Sequence, residues 1–195
     1  MIKLASSAIA AFLLMGTTVS AHGNITSPPA RLPGPAMAQA CGQQAVNKVL
    51  QDGTIPLENL LPASESCNLF LCRGALFADN PTQLQQFSLG QTINFTAILP
   101  IPHEGPANVS IVNTATNSMI GLPLLVFDSY ADENLAVLPA NNTAFSVTLP
   151  EVGESRELED ACSGEENAGN CVLQWFWFGT QAGQTYESCV DFVLV

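Results

Sequence analysis

Apolar and polar residues alternate through much of the second half of the chain. In the stretch 87–101, one parity is apolar and the other is largely polar, which predicts a β-strand with one buried face. The apolar parity comprises Ile93, Phe95, Ala97, Leu99 and Ile101. The same reasoning predicts strands at Val109–Val112, Leu122–Phe127, Phe145–Leu149 and Tyr186–Val195. Val172–Phe178 is apolar on both parities, which favours a central strand that is covered on both faces.

The front of the mature chain, from residue 22 to about residue 86, lacks this alternation. Prolines keep its first segment extended, and Pro35 favours the start of a helix that runs through Val49. The buried stripe of this helix is predicted to comprise Ala36, Met37, Ala40 and Cys41. Because short strands without convincing helices between them follow this section, we predict an all-β fold. The expected architecture is an immunoglobulin- or fibronectin-like antiparallel β-sandwich with a long loop-rich N-terminal section.

The first 21 residues have the layout of a secretory signal peptide. Lys3 precedes an apolar run from Leu4 to Met15, and small residues then lead to Ala21. The apolar run is too short to span a membrane. Cleavage after Ala21 is the favoured interpretation, and cleavage after the small Gly16 is the alternative.

Cleavage after Ala21 leaves a mature chain of 174 residues, 22–195, whose first residue is His22. This length suits a single domain with a buried core. We expect a monomeric protein that is secreted into the extracellular space, where association with the cell wall is an option.

The mature chain is strongly acidic. Four Lys and Arg residues against 17 Asp and Glu residues give it a formal charge of −13 when histidine is neutral. Nucleic acids and anionic membranes bind basic surfaces, so this charge argues against both as partners. The acidity suits a divalent cation, although solubility alone also explains it.

Six cysteines in a secreted chain predict three disulfides, for which the sequence allows 15 pairings. They are Cys41, Cys67, Cys72, Cys162, Cys171 and Cys189. The pairs Cys67–Cys72 and Cys162–Cys171 are close enough in sequence to close local loops, which leaves Cys41–Cys189. A zinc site is the alternative, but no pair has C-x-x-C spacing and histidine is scarce.

Four Asn-x-Ser/Thr sequons begin at Asn24, Asn94, Asn108 and Asn141. Such short motifs also arise by chance, but four of them in a secreted chain predict a glycosylated eukaryotic protein. Asn94 has the polar parity of the 87–101 strand, so a glycan there would point outward.

The two histidines of the mature chain are the candidates for a metal site. As the first residue, His22 offers an α-amine and an imidazole nitrogen that chelate one metal ion together. His103 follows the 87–101 strand in a predicted loop, a common place for a ligand on a rigid scaffold. We predict that the two residues together bind copper. The simpler alternative is that both are ordinary surface or core histidines.

The sequence resembles the lytic polysaccharide monooxygenases of the fungal secreted type. The motifs that carry the resemblance occur in the order found in that family. They are the released His22-Gly23, Pro28-x-x-Arg31, His103 ahead of a glycine, Cys171–Trp177, and Gln184-x-Tyr186-x-x-Cys189-x-Asp191. Each motif is weak alone, and the ordered set is more specific.

The resemblance implies a histidine brace, in which the α-amine and Nδ1 of His22 and Nε2 of His103 bind Cu(2+). Planar nitrogen ligation suits Cu(II), whereas zinc prefers a tetrahedron. Tyr186 would match the family's axial aromatic residue, and Gln184 would match a glutamine near the metal. The implied activity is oxidative cleavage of a polysaccharide such as chitin, cellulose or cell-wall glucan. It uses peroxide, or dioxygen with an external electron donor.

Two other functions remain as alternatives. The first is a non-cleaving secreted copper-binding protein with the same brace, in copper handling or cell-wall function. Glycans on Asn24 and Asn108 would obstruct docking on a flat polysaccharide, and the two tyrosines are too few for an aromatic platform. Trp175 and Trp177 belong to the predicted central strand and are expected in the core. The second alternative is a sugar-binding or structural sandwich without metal. A hydrolase is disfavoured by the absence of a G-x-S-x-G motif and of an evident carboxylate pair.

Overall fold

The computed structural model describes residues 22–195, and the predicted signal peptide lies outside these described residues. The strands are β1 (His22–Ser27), β2 (Gln85–Phe87), β3 (Thr92–Ile101), β4 (Gly105–Asn113), β5 (Ser118–Tyr130), β6 (Ala144–Thr148), β7 (Cys171–Gly179) and β8 (Gln184–Leu194). The α-helices are α1 (Pro35–Cys41), α2 (Gln43–Gln51) and α3 (Arg156–Cys162). Short 3-10 helices lie at Leu57–Leu60, Cys72–Gly74, Phe77–Asp79, Pro81–Gln83, Ala140–Asn142 and Glu165–Asn167. No helix within residues 22–195 is long and apolar enough to cross a membrane.

The strands form two packed sheets. One has three strands in the order β1-β3-β6, and the other has five in the order β2-β8-β7-β4-β5. Neighbouring strands are antiparallel except for the short β2, which runs parallel to β8. The prediction of an all-β sandwich is therefore confirmed, with one parallel pair at an edge of the larger sheet.

The core lies between the two sheets, on the parities that the sequence indicated. β3 contributes Ile93, Phe95 and Ala97, β6 contributes Phe145 and Val147, and β7 contributes Trp175 and Trp177. β7 lies between β8 and β4 and is buried along almost its whole length, as expected of a central strand. Ile101 differs from the prediction because it is 41% exposed. It is the last residue of β3, where the strand leaves the core.

The helix predicted from Pro35 to Val49 is divided in two. Gly42 separates α1 from α2 with a φ of 89°, a conformation that suits glycine and ends a helix. Met37 and Cys41 are buried as predicted, whereas Ala36 and Ala40 are only half-buried. These helices form a small second core with residues of the following loops.

The front section packs as an extra layer on the outward face of β8. Arg31 makes two hydrogen bonds to Asp191, at 2.8 Å from Nε and 2.6 Å from Nη2, and both side chains are buried. A paired, bidentate arrangement of this kind is what makes burial of the two charges tolerable. The layer therefore depends on specific polar contacts as well as on apolar packing.

All six cysteines form disulfides, but two of the predicted pairings are wrong. Cys162–Cys171 is present as predicted, whereas the other bridges are Cys41–Cys67 and Cys72–Cys189. The reason is the packing of the front layer. Cys72 lies against the outward face of β8 next to Cys189, and Cys67 lies beside the end of α1. Sequence separation could not reveal either contact.

Candidate metal centre

His22 and His103 lie at the same end of the sandwich because of the register between β1 and β3. In this antiparallel pair, His22 is opposite Ile101, the last residue of β3. His103 follows two residues later, in the turn between β3 and β4, as the sequence predicted. Opposite residues in an antiparallel pair have Cα atoms about 4.5–5.5 Å apart. The two histidines therefore flank one strand end.

The turn between β7 and β8 reaches the same end. Gly179 pairs with Gln184, and a Cβ built on Gly179 would lie 3.3 Å from Cβ of His103. Thr180 donates its backbone N–H to the carbonyl oxygen of Glu104 over 3.0 Å. The four residues expected at the site thus come from three neighbouring strand ends.

Each histidine carries a buried ring nitrogen without a hydrogen bond, Nδ1 in both cases. The His22 side chain is 16% exposed and His103 is 4% exposed. Buried polar atoms are normally paired, so these two atoms are candidates for an absent ligand. Among the described residues, only the indole nitrogens of Trp175 and Trp177 share this condition.

This donor set fits copper better than zinc. Within residues 22–195 no group of three or more His, Cys, Asp and Glu residues is placed to hold a metal, so the side chains supply two imidazoles. An α-amine and two imidazole nitrogens would make three nitrogen ligands, which suit the planar geometry of Cu(II), whereas zinc prefers a tetrahedron. For His103 the unpaired atom is Nδ1, although the family resemblance implies Nε2. Either imidazole nitrogen is able to bind a metal.

A loop at residues 52–54 holds His22 in place. Asp52 Oδ2 lies 3.3 Å from Nε2 of His22. Thr54 accepts a hydrogen bond from the N–H of Gly23 over 3.0 Å and donates two to Asp52 Oδ1, at 2.8 Å from N and 2.5 Å from Oγ1. The sequence did not indicate this role, because Asp52-Gly53-Thr54 predicts a turn but does not show that the turn contacts His22.

The carboxylate of Asp52 is kept ionised. Partial burial alone raises its pKa, but the hydrogen bonds from Thr54 and the charges of His22 and Arg73 outweigh that effect, so the pKa is lowered. A negative charge at Nε2 favours a proton on that nitrogen and leaves Nδ1 as the basic atom.

Behind this loop lies a buried pair of charged groups that the sequence did not indicate. Arg73 donates from Nη1 to the carbonyl oxygen of Gly53 over 2.6 Å, and its backbone N–H donates to Glu187 Oε2 over 3.1 Å. Burial raises the pKa of Glu187 to about 7, despite the opposing effect of Arg73, and the charge of Glu58 raises it further. Burial also lowers the pKa of Arg73 to about 10.

Tyr186 lies on the core side of β8, the parity predicted from sequence. Its ring stacks on Trp177 with centroids 4.5 Å apart, and its hydroxyl donates to Gln184 Oε1 over 2.9 Å. Burial, with the charge of Glu58, raises the phenol pKa well above its ordinary value, so the hydroxyl stays protonated. Trp177 also lies under Gly23, where a Cβ would come within 2.9 Å of Cζ3. One aromatic pair thus supports both β1 and the Tyr186–Gln184 contact.

Two solved structures resemble this one at low sequence identity. A chitin binding domain from Burkholderia pseudomallei aligns with a TM-score of 0.45 and 13% identity, over 90% of this chain and 100% of its own. The cellulose-active lytic polysaccharide monooxygenase CelS2, in complex with copper, aligns with a TM-score of 0.47 and 13% identity, over 88% and 98% of the two chains. No curated protein sequence matches the chain significantly.

A family comparison covers nearly the whole described chain. Residues 22–192 match the family described as lytic polysaccharide mono-oxygenase, cellulose-degrading, and the match begins at His22. The chain therefore belongs to the lytic polysaccharide mono-oxygenase family.

Proposed function

We propose that this protein is a secreted, copper-dependent polysaccharide monooxygenase that begins at His22 after removal of residues 1–21. The observation that carries the proposal is the pairing of His22 opposite Ile101, which brings His22 to the turn that holds His103. The family match, which starts at His22, supports the same first residue.

In this proposal, the α-amine and Nδ1 of His22 and one ring nitrogen of His103 hold Cu(2+). Copper bound there supplies the one-electron chemistry of oxidative glycosidic cleavage, with peroxide, or with dioxygen and an external electron donor. Asp52 orients the His22 ring through Nε2. These protein groups fix the geometry of the ligands before the metal arrives, which favours tight binding.

Tyr186 and Gln184 have supporting roles in the same proposal. The Tyr186 ring is held by Trp177 and by its hydrogen bond to Gln184, so it restricts access to one side of the site. Because its pKa is raised, the phenol stays protonated and neutral even in alkaline solution, so Tyr186 adds no negative charge beside the metal ligands. In the same proposal, Gln184 hydrogen-bonds a polar group that enters beside the turn.

The substrate surface is polar in this proposal. Both tryptophans and both tyrosines are buried, so they cannot stack on a sugar ring. Polar side chains that hydrogen-bond sugar hydroxyls make the contacts instead. A depression of about 650 Å³ beside Asp52 supplies such groups, being lined by Lys48, Gln51, Asp52, Ile55 and Asn59. Amide, ammonium and carboxylate groups are suited to the hydroxyls of a polysaccharide.

The burial of all four large polar aromatics also favours a second candidate, a copper-binding protein that does not cleave polysaccharide. Sequons at Asn24 and Asn108 add to this case, since glycans there would lie on strands that lead to the site. Such a protein would bind copper through the same two histidines and would serve in copper handling or in the cell wall.

One experiment separates the two candidates. Copper-loaded protein beginning at His22 is incubated with cellulose, chitin and cell-wall glucan in the presence of ascorbate and peroxide. We expect oxidised oligosaccharides from at least one substrate, and none from His103→Ala treated identically. Tight copper binding without oxidised products on all three would contradict the monooxygenase and support the second candidate.

A further inference from the structure

The outer face of the five-stranded sheet carries an exposed apolar patch. Over β8 this face is covered by the front layer, which is tied there by Cys72–Cys189. On the β4–β5 side, Met119 is 47% exposed and Val126 is 57% exposed, and Phe176 of β7 is half-buried. We call Met119, Val126 and Phe176 the outer patch. Val126 and Phe176 flank the same residue of β4, and Met119 lies further along the same sheet face. Contiguous exposed apolar surface of this kind marks a contact surface.

Asn108 stands between two of the three residues of the outer patch. On β4 it pairs with Val126 of β5 on one side and with Phe176 of β7 on the other. Side chains of directly opposite residues share a face and have Cβ atoms about 4.5–5.5 Å apart. A group attached to Asn108 would therefore lie between Val126 and Phe176.

A shallow depression beside Asn108 is lined by Asn108, Ser110, Val112, Met119, Gln174 and Phe176 and has a volume of about 280 Å³. This is below the range of about 300–1,000 Å³ that holds a drug-sized ligand, so it suits a single sugar ring. Ser110 Oγ donates to Asn108 Oδ1 over 3.0 Å, which leaves the other amide atom, Nδ2, for a covalent substituent. Ser110 is also the third residue of the Asn108 sequon.

We propose that the N-glycan on Asn108 is a structural part of the fold and that its first N-acetylglucosamine occupies this depression. The C–H face of the sugar packs against Phe176 and Val126, which removes their apolar surface from water. Its acetamido group lies within the polar part of the depression that Gln174 lines. The glycan thus covers the outer patch as the front layer covers β8. This inference requires secretion and does not depend on copper.

The sequon at Asn94 is a natural control. It also lies on the outward face of a strand, but its neighbours are hydroxyl side chains. Ser146 Oγ donates to Asn94 Oδ1 over 2.7 Å, and Thr92 and Thr148 share a hydrogen bond of 2.9 Å. A sugar on Asn94 meets no apolar surface of this kind and gains nothing from folding back on the sheet.

The test uses protein secreted from a yeast that attaches high-mannose glycans. Native protein is treated with peptide N-glycosidase F, and release at each sequon is followed by peptide mass. We expect Asn94 to lose its glycan more than about tenfold faster than Asn108, with the difference abolished by denaturation. Equal rates on the native protein, or an unoccupied Asn108, would overturn the proposal. This arm needs no variant.

A stability arm uses matched variants. Asn108→Gln should lower Tm by about 3–5 °C, whereas Asn94→Gln should change it by less than about 1 °C. Trimming with endoglycosidase H to a single N-acetylglucosamine should retain the Tm of the fully glycosylated protein, because the first sugar makes the contacts. Equal Tm values for the two variants, or a decrease in Tm after trimming to one N-acetylglucosamine, would also overturn the proposal.

Discussion

Among single residues, Asp52 determines how the His22 imidazole is oriented. It contacts Nε2 on one side of the ring, while Thr54 fixes the carboxylate from behind. A carboxylate on the far nitrogen of a ligating histidine holds the ring and increases the basicity of the other nitrogen. The sequence could not indicate this role, because the contact arises only when the 52–54 loop packs beside β1.

Replacing Asp52 tests this role. Asp52→Ala should raise the Kd for Cu(II) by about tenfold, because the His22 ring loses its orienting partner. Isothermal titration calorimetry measures the change. Asp160→Ala is the matched control, since it removes one exposed acid of the same charge from α3. An equal loss of affinity in the two variants would assign the effect to charge alone.

Glu187 makes stability depend on pH in an unusual direction. Its pKa is raised from 4.5 in the unfolded chain to about 7 in the fold, so the folded state binds more protons between those pH values. Stability therefore falls as pH rises through this window, by about 3 kcal/mol in total. Glu187→Gln keeps an oxygen for the Arg73 N–H and should abolish this contribution.

Urea unfolding from pH 4.5 to pH 8 measures the effect. The free energy of unfolding of the parent protein should fall relative to that of Glu187→Gln as pH rises. Glu157→Gln, at an exposed position of α3, should run parallel to the parent protein. Parallel curves for Glu187→Gln and the parent protein would show that folding does not raise the pKa of Glu187.

Among the elements, the strands of the sandwich were predictable and their partners were not. β3, β6 and β7 each show the burial of their faces directly in the sequence, through alternation or continuous apolar residues. The front section has no such period, because helices and loops there pack as a layer stapled by disulfides. The register of β1 on β3 brings His22 close to the turn that holds His103. No local sequence pattern predicts this register.

Gly23 of β1 lies directly against Trp177, so its lack of a side chain lets β1 pack closely on the ring pair of Trp177 and Tyr186. Gly23→Ala would place a Cβ 2.9 Å from Trp177 Cζ3 and 3.0 Å from Leu99 Cδ2. This overpacking should destabilise the fold by about 1–3 kcal/mol and displace β1, which also weakens Cu(II) binding. Chemical denaturation measures the first effect.

Gly53→Ala is the matched control for this substitution. Gly53 lies on the loop that holds His22, and the nearest atom to its added Cβ would be 3.7 Å away. We expect it to retain stability within about 0.5 kcal/mol. Equal destabilisation by both substitutions would point to the loop backbone instead of the Trp177 contact.

In the whole molecule, the sandwich brings three distant segments to the same end. They carry His22, His103 and the pair Gln184 and Tyr186, which were candidates from sequence and come from both sheets. The charged groups behind them, Asp52 and Arg73 among others, could not be predicted because they belong to the front layer. The Cys72–Cys189 bridge ties this layer to β8 across 117 residues of sequence.

The most direct test of the metal site is the Cu(II) affinity of protein that begins at His22, compared with protein that retains Ala21 ahead of it. The added residue converts the α-amine into an amide and changes no side chain. We predict one tightly bound copper for the first protein and an affinity at least about a hundredfold lower for the second. Equal affinities would show that the amine of His22 is not a ligand, and the histidine brace would have to be abandoned.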